Sequence, residues 1–259
     1  MTPPARRPAF FLPAALLALL CSFLWTALDA HAFGKSSLMT PAIIRHGGDW
    51  DARLPALRSF AWEVSRRTSL RTFPEPDVVS LTSPQALFRA PFLYFGGTQG
   101  FPPLSEAEVR NLRRYLDMGG FLLADAGDGS DGYGFDASMR REIARLYPDR
   151  ELVRLPSDHV AYRTYFFLDR QAGRTASRPF LWAVIDESGR AALIYSQNDL
   201  MGALQRNALG DWALEVVPGG SSQREMAIRL AVNLAMYAMC LDYKSDLLHL
   251  PYLMKKRRR

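Results

Sequence analysis

The chain has 259 residues, 48% of them aliphatic, aromatic or cysteine, and a formal net charge of +6. That length allows one sizeable domain or at most two small ones, and the apolar content excludes a disordered chain except at the ends. The positive balance is partly an end effect: Arg6 and Arg7 open the chain, and Lys255, Lys256, Arg257, Arg258 and Arg259 close it.

The N-terminus follows its paired arginines with an apolar run from Ala9 to Leu28 and then Ala30-His31-Ala32. Basic, apolar and small residues in that order predict a secretory signal peptide over 1–32, with cleavage after Ala32 and a periplasmic destination. The apolar run is long for a signal, so the alternative is an uncleaved membrane anchor. The basic run 255–259 reads as a solvated tail or a contact to anionic lipid or an acidic partner. Nucleic acid is not an expected partner of an exported chain. With the signal removed, Cys240 is the one cysteine left, which excludes an intramolecular disulfide and a multi-cysteine zinc site.

From Phe33 to Met254 the chain reads as one domain. Strands are predicted at Ala42 to Arg45, Asp77 to Leu81, Phe92 to Phe95 and Phe121 to Ala124, the last apolar on consecutive residues as a strand covered on both faces must be. Between the first two, Leu54 to Leu70 carries Leu54, Leu57, Phe60, Ala61 and Val64 at helical spacing. A short helix precedes the third strand. The clearest helix then follows, with Ser105 as N-cap, Glu106 and Glu108 in the first turn, and Val109, Leu112 and Leu116 on one face until Gly119-Gly120. A further helix runs from near Phe135 to Leu146, and "ELVRL" is a short strand. "RPFLWAVID" and "RAALIYS" flank the turn "ESGR" and are predicted to form a hairpin added to the sheet. Gln223 to Leu241 is a long amphipathic helix. The order β-α-β-(short helix)-β-α-β predicts an α/β fold with a mostly parallel sheet and helices on both faces.

Ligands of open parallel sheets bind beyond the carboxyl ends of the strands. That rule selects "HGGDWD", "GGTQGF", "ADAGDGSDGYG" and "SQNDL", and within them Gly47, Gly48, Asp49, Trp50, Gly96, Gly97, Asp125, Asp128, Asn198 and Asp199 as candidate ligand-binding residues. Asp125, Asp128, Asp131 and Asp136 are spaced three, three and five apart, which does not match an EF-hand loop, so no metal is assigned. The same loop has no lysine and four carboxylates, which argues against a phosphate cradle. No G-x-S-x-G or G-x-C-x-G occurs, so a nucleophile elbow is missing. The remaining catalytic candidates are His159 and Asp125, with His46 as a further base that the fold could bring near them. No cofactor is implied.

"GGDWD", "LSEAEVRNLRRYLDMGGFLLADAG", "FDASMRREIARLYPDRELVRLPSDHVAYRTYF" and "ALIYSQNDLMGAL", in that order, resemble bacterial proteins carrying domain of unknown function 4159. The resemblance runs from about Thr40 to about Leu253. It implies a class I glutamine amidotransferase-like, flavodoxin-like three-layer sandwich in an exported or membrane-attached protein. An active amidotransferase would carry an elbow cysteine and a histidine-x-glutamate pair. Here the elbow position holds Ala124-Asp125-Ala126, and His159 stands between Asp158 and Val160. The expected function is therefore an exported, non-catalytic domain that binds a small polar ligand or a protein partner at the strand-end cleft. The alternatives are a hydrolase using carboxylates and His159, and a membrane-associated scaffold subunit.

Overall fold

A computed structural model describes residues 38–129, 131–168 and 173–239. The predicted signal peptide, the alternative anchor, Cys240 and the basic tail lie outside the described residues. Among the described residues, no helix is long and apolar enough to cross a membrane.

The strands are β1 (Pro41–Arg45), β2 (Asp77–Ser80), β3 (Phe92–Gly97), β4 (Leu122–Ala126), β5 (Val153–Arg154), β6 (Trp182–Ile185) and β7 (Ala191–Ser196). They form one sheet in the order β2-β1-β3-β4-β7-β6-β5. Neighbours from β2 through β7 pair in parallel, and β6 and β5 extend that edge antiparallel. The parallel part has the 2-1-3-4-5 order of flavodoxin-like sheets, whose connections reverse direction between the first and third strands.

The predicted hairpin is present as β6 and β7, but only its first strand is an addition. β7 is fully buried and pairs with β4 from Leu122↔Leu193 to Asp125↔Ser196, so it is a central strand of the parallel sheet. Its unbroken apolar run is the signature of a strand covered on both faces. β3 and β4 also run two residues beyond their predicted ends, because Gly96↔Asp125 and Gly97↔Ala126 continue the ladder. Asp125 is thus a strand residue and not part of the loop that follows.

Among the described residues five α-helices pack on the sheet: α1 (Leu54–Arg67), α2 (Pro84–Leu87), α3 (Glu106–Asp117), α4 (Gly134–Leu146) and α5 (Gly220–Met239). α1 stops three residues short of the predicted end. Thr68 turns extended there and its hydroxyl donates to the Val64 carbonyl at 2.8 Å, so the chain leaves the helix. α3 begins with a full capping box, the Ser105 side chain accepting from Glu108 N–H and the Glu108 side chain accepting from Ser105 N–H.

Alternation along the strands divides the core in two. Ile43, Tyr94, Leu123 and Ile194 face α1, α5 and the 3-10 turn Met201–Leu204. Ile44, Phe95, Ala124 and Tyr195 face α3 and α4. Helix, sheet and helix make the three layers, and the strand ends with their loops gather at one rim.

Candidate functional site at the strand ends

Because side chains alternate across a strand, the face on which each candidate lies is fixed by its distance from the core residues. Asp125 follows Leu123 by two and faces the α1 layer. His46 follows Ile44 by two and faces the α3 and α4 layer. The sheet itself separates them.

Asp125 is fully buried. Its Oδ1 accepts from Leu200 N–H at 2.8 Å and its Oδ2 from Met201 N–H at 2.9 Å, so it fastens the entry to the 3-10 turn Met201–Leu204. The Tyr94 hydroxyl approaches Oδ2 at 3.3 Å, and Ser196, its register partner on β7, adds a side-chain hydrogen bond. Burial, and after it the nearby Asp199 carboxylate, push the carboxyl up to about 7. Gly96 makes this cluster sterically possible: a side chain there would collide with the Tyr94 phenol.

Asp199 is the partner of a buried arginine. Arg53, the N-cap of α1, donates from Nε to Oδ1 at 2.7 Å and from Nη2 to Oδ2 at 2.8 Å. Nη2 also reaches the Gly127 carbonyl at 3.2 Å, which ties α1 to the loop after β4. Arg174 donates to Asp199 Oδ2 from the outer side, with its own side chain a quarter exposed. Asp199 has φ of 50°, the one non-glycine residue with positive φ among those described. Such a conformation persists only where the surroundings over-determine it, as two arginines and the Gly202 N–H do here.

On the opposite face, His46 is a neutral bridge. Its Nδ1 accepts from Gly48 N–H at 3.0 Å, which places the ring proton on Nε2, 3.0 Å from the Gly96 carbonyl. The ring stacks on Phe95 at 4.5 Å between centroids, and burial holds its pKa below the ordinary histidine value. Asp49 joins the loops after β1 and β3. Both its oxygens accept from Thr98 N–H, at 3.0 and 2.9 Å, and the Thr98 hydroxyl donates to Oδ2. A side chain at Gly97 would sit 2.7 Å from Asp49 Oδ1, and one at Gly47 would sit 2.5 Å from Pro102. Gly48 likewise lies against Phe101 and the His46 ring. The space these glycines leave is filled by the protein.

The remaining candidates are also engaged. Asn198 mimics a backbone ladder toward Arg178, accepting from its N–H at 2.8 Å and donating to its carbonyl at 2.6 Å. Asp128 accepts from Phe135 N–H at 3.1 Å at the start of α4. Trp50 is half-buried, with the Arg45 guanidinium 5.4 Å from its ring. Among the described residues, no group of three or more His, Cys, Asp or Glu side chains is placed to hold a metal ion.

The structure does not bring His159 to this rim. His159 caps the 3-10 turn Val160–Tyr162, its Nδ1 accepting from Ala161 N–H at 3.2 Å, and its ring lies 5.5 Å from that of Tyr237. The Tyr237 hydroxyl accepts from Ala191 N–H at 2.8 Å, at the opposite end of β7 from Ser196. That strand alone separates the two ends by roughly 16 Å at about 3.3 Å per residue. His159, His46 and Asp125 therefore occupy three different places, and no acid/base pair forms among them.

Arg53, Arg174, Tyr94 and Thr98 are the participants that the sequence reading missed. Arg53 carried a usable signal: a cation at a helix N-terminus opposes the helix dipole unless an acid compensates it. Nothing local marked Arg174 or Thr98, whose partners are distant in sequence.

A search of the curated proteins found no match. A family model described as a domain of unknown function, DUF4159, matches residues 40–239. Those residues span β1 to α5 and contain every contact of the rim described above, and the chain belongs to the DUF4159 family.

Proposed function

We propose that the chain is an exported, non-catalytic α/β module that binds a small polar ligand or a protein partner at the strand-end rim. The observation that supports this reading most is the environment of Asp125. A carboxyl poised near neutrality is the usual mark of a catalytic acid or base. This one is shut off from solvent and spends its oxygens on Leu200 N–H and Met201 N–H. A general base has to reach a substrate proton, and Asp125 reaches the loop after β7, Ser196 and the Tyr94 hydroxyl.

The rim surface outside this cluster is polar: Thr175 is half-buried, with Gln99 and Ser177 exposed around the loops after β3, β4 and β7. A side chain at Gly129 would lie 3.5 Å from Ser177 Oγ, so the two loops border one another. Export rests on Arg6, Arg7, the run Ala9 to Leu28 and Ala30-His31-Ala32.

A thermal-shift screen of small polar compounds on the full chain and on Ser177→Trp tests the reading. A ligand should raise the midpoint of the wild type, since binding only the folded state stabilises it, and the tryptophan that blocks the rim should abolish the shift. A hydrolytic activity lost in Asp125→Asn with unchanged thermal stability would overturn it.

A further inference from the structure

The C-terminal half of α4 and the turn that leads from it into β5 enclose a groove of about 560 Å³. That volume lies in the range of small-molecule sites, roughly 300–1,000 Å³. The floor is apolar: Ile143 and Tyr147 are buried there, and Leu152 packs on the same core from the strand side. Arg140, Ala144 and Arg150 continue the lining, and Glu151 is exposed at its margin.

The antiparallel edge of the sheet brings further side chains to the same face. Trp182 is the register partner of Tyr195, which faces α3 and α4, and Arg154 is the register partner of Trp182. Directly opposed residues share a face, so Trp182 and Arg154 both project toward the α4 layer. The Trp182 indole is fixed by its Nε1 donating to Gln197 Oε1 at 2.8 Å, and the Arg140 guanidinium lies 4.9 Å from its ring. Phe180 meets that indole edge-on at 5.0 Å and carries the Arg154 guanidinium at 4.3 Å. Within the groove, Arg150 lies 5.0 Å from the ring of Tyr147, whose hydroxyl donates to Asp117 Oδ1 at 3.0 Å.

A guanidinium over an aromatic ring is common packing and by itself calls for no ligand. Here the donors of these groups are largely unspent. Arg150 and Arg154 make no ion pair among the described residues. Arg140 gives only its Nε to Asp136, 3.0 Å from both oxygens, and its two terminal nitrogens make no hydrogen bond among the described residues. Stacking holds such a fork in place before a ligand arrives, so less side-chain freedom is lost on binding. A planar fork with free N–H groups matches a carboxylate or a phosphate, which it grips through two parallel hydrogen bonds.

We propose that the groove binds an organic anion, a carboxylate or a phosphate monoester carried on an apolar body. Arg150 pairs with the oxyanion and Arg140 supplies a second cation in the same lining, while Ile143, Tyr147 and Leu152 receive the body. Arg154 adds positive potential beside the entrance. The site is separate from the rim. The first turn of α4 meets the rim, where Asp136 accepts from Gln197 Nε2 at 3.0 Å, and the groove lies toward the other end of the helix.

Isothermal titration calorimetry of the full chain with phenyl phosphate, phenylacetate and inorganic phosphate tests it. At least one of the two aryl anions should bind, one per chain, and the tighter of them identifies the head group. Inorganic phosphate should bind tenfold or more weakly, because it has nothing to place on the apolar floor. Arg150→Gln should weaken the aryl anion roughly tenfold or more, the loss of a charge-assisted hydrogen bond. Ala144→Trp sets a bulky side chain into the groove from an exposed helix position and should abolish binding. Ser177→Trp, at the rim, should leave it unchanged. Equal thermal midpoints of the three variants and the wild type show that folding is intact. Failure of both aryl anions to bind overturns the proposal. So does binding that inorganic phosphate equals, or that survives both groove variants. Binding removed by Ser177→Trp overturns it too, since the anion would then sit at the rim.

Discussion

Arg53 lies flat along the carboxylate of Asp199, joined by two parallel hydrogen bonds of 2.7 and 2.8 Å across 146 positions of sequence. The pair links the N-cap residue of α1 to the loop after β7, two segments whose strands lie on either side of β3 and β4. Both partners are buried, so each needs the other.

Removing one partner leaves an uncompensated charge in the interior. Arg53→Ala should lower the free energy of unfolding by about 3–5 kcal/mol, measured by chemical denaturation. Adding Asp199→Asn should cost much less than the sum of the two single changes, because the double variant no longer buries an unpaired carboxylate.

Asp125 predicts a pH dependence. Burial and then Asp199 raise its folded-state value to about 7, from 3.8. The folded chain therefore holds this proton more tightly than the unfolded chain does. The stabilising contribution is complete below the unfolded value and is lost as pH rises through the folded value. Asp125→Asn should remove this part of the slope between roughly pH 4 and 7 in denaturation curves taken across that range. It should also cost about 1–3 kcal/mol, since an amide offers one oxygen to two backbone N–H groups.

His46 predicts the opposite slope. Burial lowers its pKa, so the unfolded chain takes up a proton that the folded chain resists. Stability on this account is full above the ordinary value of 6.5 and is lost as pH falls through the lowered one. The imidazole resonances of His46 in an NMR titration should show a midpoint below 6.5.

The capping box at α3 is a local feature and gives a local expectation. Ser105→Ala removes the acceptor for Glu108 N–H and should cost about 0.5–2 kcal/mol in denaturation measurements. The rim should be untouched, since α3 packs on the other face of the sheet from Asp125.

Much of the fold is legible in the sequence because its parallel strands are buried on both faces. β1, β3 and β4 announce themselves as unbroken apolar runs, and α3 by its cap and first-turn acids. The hairpin strand β7 misleads because "RAALIYS" adjoins a tight turn, and the turn says nothing of which strand lies on its other side. Pairing with β4 depends on the βα units between them. The rim loops were also legible, since strand-end position and glycine content select them. The roles within them were not. Whether Asp125 points at solvent or at Leu200 N–H follows from the parity of the strand and from where the chain goes after Ser196, and neither is a local property. Gly96 and Gly97 illustrate the same limit: a glycine shows that something comes close, and only the structure shows that it is Tyr94 and Asp49.

The most direct test of Asp125 as a fastener is native-state hydrogen exchange at the Leu200 and Met201 amides. If the carboxylate holds both N–H groups in the interior, they should exchange as slowly as core strand amides such as that of Leu93, and Asp125→Asn should accelerate at least one of them while Leu93 stays protected. Rapid exchange of both amides in the wild type would mean that the loop leaves Asp125 open to solvent, and would contradict the account.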